Sequence, residues 1–172
     1  MHSIRPIRPA PRSGIVQALK RAAMHRHTIA LVNVLILLVL VPALVRFLLG
    51  LSAGDDAHDL AKLLDDVATV LVGYGVVVEE RHFLMTKLGL YPDMETPEQT
   101  ATDEICHSVG FAALALGLMS ELLVKLVELP NSVVNTEGFD LALLCLTAAL
   151  IATTSALLVW HALRLVAGPK PR

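Results

Sequence analysis

Two uninterrupted apolar runs constrain this chain more than anything else in it. Residues 28–51 carry Arg46 as their only charged side chain, and residues 141–160 hold no charged side chain at all. At about 1.5 Å rise per residue they reach roughly 36 and 30 Å as helices, enough to cross a hydrocarbon core of about 30 Å. Lipid offers no hydrogen-bonding partner, so a spanning segment must satisfy its backbone internally, which long non-alternating apolar blocks do as α-helices. Hydrophobic residues make up 55% of the 172-residue chain, above the roughly 45–50% of soluble proteins. The length predicts a single domain.

Between these runs the pattern predicts two more helices with shorter apolar centres. One covers residues 59–88, and its uninterrupted apolar part, residues 67–78, lies between Asp65 with Asp66 and Glu79 with Glu80. Twelve residues rise only about 18 Å, so carboxylates at one or both ends are drawn to membrane depth. The other starts at Thr96 as N-cap, with Pro97 in the first helical position and Gln99 completing a capping box, and stops before Pro130. Its apolar part is residues 108–120, bounded by His107 and Glu121. Gly73 and Gly75 are the expected points of close helix approach.

The expected fold class is therefore all-α: an integral membrane four-helix bundle, up-down-up-down, over residues 28–166. Residues 1–27 form a basic N-terminal tail and an interfacial lead-in helix capped by Ser13, and residues 167–172 form a C-terminal tail. The first apolar run exceeds the roughly 7–15 residues of a signal-peptide core, and no Ala-x-Ala site follows it, so it reads as a retained span. Pro42 is a candidate kink. Arg5, Arg8, Arg12, Lys20, Arg21 and Arg26 precede the first span, Arg81 and Lys87 lie near the second loop, and Arg164, Lys170 and Arg172 close the chain. The opposite side carries chiefly Arg46, Lys62 and Lys125. That bias predicts a multi-pass protein of the cell inner (cytoplasmic) membrane with both termini cytoplasmic.

The chemistry concentrates in residues 78–107, which hold two Glu-x-x-His motifs, Glu79 with His82 and Glu104 with His107. Residues three apart share a helix face, so each motif presents a carboxylate and an imidazole together. A hairpin folded about Tyr91, Pro92 and Asp93 pairs residue i with residue 185−i, bringing His107 beside Val78 and Glu104 beside Arg81. The candidate metal ligands are Glu79, Glu80, His82, Glu104 and His107, with His161 from the fourth helix. The spacing resembles that of the ferritin-like di-iron carboxylate bundles. Helices one and four bring His27 and His161 where such bundles bring a lone Glu, a donor set that suits iron or zinc better than magnesium or calcium. Read without a metal, the same residues are an interfacial cluster in which Arg81 pairs with Glu104, and His161 is an interfacial anchor beside Trp160. Cys106 reads as a small helix-packing residue, because its neighbour His107 points about 100° away.

Glu104, His107, Phe111, Leu114, Gly117 and Glu121 recur at helical spacing as one interior face with polar ends and an apolar middle. Asp65, Asp66 and Glu121, countered by Lys62 and Lys125, form a second station about 20 Å away. The leading functional expectation is an integral membrane metal-binding protein, redox-active on a lipid or quinone if the metal is iron. A small transporter or ion-conducting oligomer, a structural accessory subunit of a membrane complex, and a haem protein ligated by His82 and His107 are the rivals. The expected partners are the lipid bilayer and a homo-oligomer or larger membrane complex. A formal net charge of −2 gives no basis for binding nucleic acid. Two cysteines, Cys106 and Cys145, make no disulfide framework. No catalytic residue can be named.

Overall fold

A computed structural model describes residues 26–89, 96–129, 136 and 138–167. The N-terminal tail with most of its lead-in helix, the expected turn at Tyr91, Pro92 and Asp93, and the residues after Ala167 lie outside the described residues. The described chain is all-helical. Its five helices are α1 (Arg26–Ala53), α2 (Ala57–Glu79), α3 (Arg81–Lys87), α4 (Pro97–Glu128) and α5 (Asp140–Ala167). Three of them, α1, α4 and α5, are long and apolar enough to cross a membrane. The α2 segment is not among these three, because four charged side chains, Asp59, Lys62, Asp65 and Asp66, occupy its first half.

Each helix boundary has a local cause. The α1 helix runs unbroken through Pro42 and ends where Gly54 takes a positive φ of 78°. The amide of Asp55 bonds the Gly50 carbonyl at 2.9 Å and that of Gly54 bonds Leu51 at 3.4 Å, which makes a Schellman cap. At the start of α4 the Thr96 hydroxyl accepts from the Gln99 amide at 3.3 Å, and the Gln99 side chain accepts from the Thr96 amide at 3.1 Å. This is the capping box expected from the sequence, with Pro97 at its first position. The single helix expected over residues 59–88 is instead divided at Glu80 into α2 and α3. The division falls where the apolar run gives way to Glu79 and Glu80, so the segment beyond it has no apolar layer to follow.

The helices pack mainly as α2 on α4 and α1 on α5, with α5 also against α4 and α2 against both α1 and α5. On α2 the buried stripe is Leu60, Leu64, Val67, Leu71, Tyr74 and Val78, spaced by three or four residues. On α5 it is Leu144, Ile151, Leu158 and Leu165 together with Thr147, Thr154 and Ser155. Those three hydroxyls donate back to the carbonyls of Leu143, Leu150 and Ile151 at 2.9–3.0 Å, so they cross the apolar layer already satisfied. By contrast α1 turns most of its aliphatic side chains outward, Leu31, Leu35, Leu38, Leu48 and Leu49 among them.

Glycines set the register of α2 against α4. A Cβ on Gly75 would come 2.5 Å from the Leu114 amide, one on Gly117 would come 3.0 Å from the Val72 amide, and one on Gly110 would overlap the backbone of Glu79. The two helices are therefore antiparallel, with residue i facing residue 189−i rather than 185−i, a shift of about one helical turn from the expected pairing. Backbone contact at these notches decides the register. Of the two glycines expected to permit close approach, Gly75 does so, whereas a Cβ on Gly73 would meet nothing within 4 Å.

The same contacts rotate α4 away from the expected face. Its buried side is Cys106, Val109, Gly110, Ala113, Gly117, Ser120 and Val124, while Glu104, His107 and Phe111 are exposed. Small side chains let the backbones close, and the large and charged ones turn outward.

Candidate functional site

Each of the four long helices contributes one hydrogen-bonding side chain to a continuous string of contacts in the interior. They are Asn33 from α1, Tyr74 from α2, Cys106 from α4 and His161 from α5. Asn33, Cys106 and His161 have no exposed surface and Tyr74 is 6% exposed. Asn33, in the second turn of α1, and His161, in the last two turns of α5, lie at one level, whereas the glycine-locked register sets Tyr74 opposite residue 115 and Cys106 opposite residue 83, so the two ends of the string are separated by nine residues, about 13.5 Å along the helices.

The four side chains form one chain of contacts. The Tyr74 hydroxyl donates to Asn33 Oδ1 at 2.5 Å, Asn33 Nδ2 lies 3.0 Å from His161 Nδ1, and His161 Nε2 lies 3.8 Å from Cys106 Sγ. The tautomer follows the orientation of the Asn33 amide. With the amide donating to Nδ1, the single proton of a neutral ring sits on Nε2 and points at the sulfur. Asn33 therefore orients the imidazole from one side while the thiol occupies the other. Removing one member would strand a buried donor or acceptor, which costs about 1–3 kcal/mol.

His161 is the one expected ligand found in this node. It is buried and so is not the expected interfacial anchor, whereas its neighbour Trp160 is exposed and lies under the Arg164 guanidinium at 4.9 Å from the ring centroid. Asn33, Tyr74 and Cys106 were not legible as site residues, yet they had a signal. Asn33 and Tyr74 are isolated hydrogen-bonding side chains inside apolar runs, where a polar group is expensive and takes a partner.

Of the remaining expected ligands, Glu79 is five residues from Tyr74, about 7.5 Å along the helix, whereas Glu104 and His107 are two residues and one residue from Cys106 but turn to other faces of α4. Glu80, His82, Glu104 and His107 are exposed and Glu79 is half-buried. Among the described residues, no three His, Cys, Asp or Glu side chains come together to hold a metal ion. Arg81 pairs with Asp103, not with the expected Glu104, and His82 Nδ1 lies 3.6 Å from the same Asp103 carboxylate.

The second polar station takes a different form from the one expected. Lys125 Nζ bonds Asp65 at 2.7 Å and Glu128 at 2.9 Å. Asp66 and Lys62 are exposed and Glu121 is half-buried. Beside the α1 cap, Arg46 pairs with Asp55 at 3.2 Å. These are partly exposed ion pairs at helix ends, worth little individually to stability.

No family model, no curated protein and no solved structure matches this chain.

Proposed function

We propose that this protein is a four-helix bundle of the cytoplasmic membrane, up-down-up-down with both termini cytoplasmic, and that it binds a transition metal ion between α4 and α5. The ligands in this reading are Cys106 Sγ and His161 Nε2, and the interior node takes over the role expected of the Glu-x-x-His residues. One observation carries it: a thiol and an imidazole nitrogen lie 3.8 Å apart with no exposed surface. An ion held at about 2.3 Å from sulfur and about 2.0–2.1 Å from nitrogen bridges atoms at that separation. Ionisable groups inside a membrane bundle are expensive and mark sites that bind or relay ions.

The topology rests on charge placement. Arg26, Arg81, Lys87 and Arg164 gather toward one end, and Arg46, Lys62 and Lys125 toward the other. In this reading α2 is the fourth span, packed against α1, α4 and α5 along its buried stripe. Glu79, Glu80, His82, Glu104 and His107 form an acidic and imidazole rim at the cytoplasmic edge, through which a cation reaches the node.

Elemental analysis of the full chain purified in detergent, with an absorption spectrum of the same sample, tests the reading. Near-stoichiometric metal is expected in the wild type and in a His82→Ala/His107→Ala variant, and its loss in a Cys106→Ser/His161→Gln variant. The reverse pattern would move the site to the rim. A Soret band would replace the metal-ion reading with haem.

A further inference from the structure

Resting on the reading of the node as a metal site, we infer that its ion is a two-coordinate, monovalent, thiophilic one, copper(I), rather than zinc or iron.

The donor count points to it. The two ring nitrogens of His161 face opposite ways, and the Nδ1 side is occupied by Asn33, whose amide also holds the Tyr74 hydroxyl. Neither group reaches an ion on the Nε2 side. There the site has one sulfur and one nitrogen, and among the described residues no third His, Cys, Asp or Glu joins them. Zinc takes four ligands, and non-haem iron takes more, so either would have to draw water to two donors that have no exposed surface. Copper(I) is satisfied by two donors, and thiolate selects it.

Charge points the same way. Arg81, whose charge reaches Cys106, is paired with Asp103 and the pair adds no net charge, so a thiolate, a neutral imidazole and a monovalent ion sum to zero. The same ligands around a divalent ion leave one uncompensated positive charge in a fully buried position, which low-dielectric surroundings penalise heavily.

Loading the ion reorganises the protons, and the balance is complete. The Cys106 S–H bond breaks, the sulfur bonds copper(I), and one proton leaves for each ion that enters. His161 must free Nε2, so its one ring proton relocates to Nδ1. Nδ1 then needs an acceptor where it previously met the Asn33 amide N–H. A half-turn of the Asn33 carboxamide supplies it, because Oδ1 then accepts from Nδ1 while Nδ2 donates to the Tyr74 oxygen, whose own hydroxyl hydrogen, losing Oδ1 as acceptor, rotates away from Asn33. Asn33 and Tyr74 are thus positioning residues that hold either tautomer, the role that outer hydrogen bonds play for metal-bound histidines.

The test is an anaerobic titration of the reduced full chain in detergent with copper(I), against bicinchoninate as a chromophoric competitor. The exposed Cys145 is replaced by Ala throughout. We expect one copper(I) per chain, one proton released per ion, and an X-ray absorption spectrum fitted by one sulfur and one nitrogen. Cys106→Ser should abolish competition, and Asn33→Leu should weaken binding by roughly 10–100-fold. The absorption spectrum needs no variant, so the ligand assignment stays testable if a substitution prevents folding. Stoichiometric zinc or iron(II) at Cys106 and His161 with no copper(I) uptake would overturn the ion assignment and leave the metal reading standing. Undiminished copper(I) binding by folded Cys106→Ser, or no metal uptake of any kind, would overturn both.

Discussion

At the residue scale the node is a case of polar groups in an apolar interior that answer only to one another. Asn33 sits at its centre, bonded to both Tyr74 and His161, so the three side chains should not contribute equally to stability. Tyr74→Phe removes one donor and leaves Asn33 Oδ1 without its partner, for an expected loss of about 1 kcal/mol. Asn33→Leu strands the Tyr74 hydroxyl and His161 Nδ1 together and should cost on the order of 2–3 kcal/mol. Thermal unfolding of the full chain in one detergent, followed by circular dichroism, checks the order. Equal effects would mean that the contacts act independently and not as a chain.

At the scale of elements, the α2 and α4 pair is governed by three positions without a side chain. A methyl at Gly110 would meet the Glu79 backbone, which cannot yield as a flexible side chain could. Gly110→Ala should therefore push the helices apart and cost roughly 1–3 kcal/mol. Gly73→Ala meets nothing, and it should leave stability unchanged or raise it by up to about 1 kcal/mol through helix propensity. The same unfolding measurement separates them, and similar behaviour of the two variants would refute the notch as the source of register. Because the node lies along this register, Gly110→Ala should also weaken metal uptake although the glycine touches no ligand. At the N-terminus of α4, Thr96→Ala should lose about 1 kcal/mol with the capping box.

On the scale of the whole molecule, the outward aliphatic side of α1 and the ion pairs at the helix ends describe a body that meets lipid around its middle and water at both ends. Topology reporters fused to either terminus should both read cytoplasmic. A terminus that reads external would reverse the proposed orientation and with it the side from which the node is loaded.

What the residue order determined by itself is the local and the one-dimensional. Long apolar runs make spanning helices because lipid leaves the backbone no other partner, and the start of α4 was legible to the residue because a capping box is closed by three neighbours. The Glu-x-x-His pairs were legible as motifs too, but a motif states only that two side chains share a helix face. Which face turns inward was decided by tertiary packing, where Gly75, Gly110 and Gly117 let α2 and α4 touch backbone to backbone and so rotated His107 outward and Cys106 inward, one residue and about 100° apart. The node draws on four helices separated by up to 128 positions, from Asn33 to His161. No local pattern encodes such a meeting. It exists because the buried faces of four helices pack together, and the polar groups Asn33, Tyr74, Cys106 and His161 there are partnered by one another.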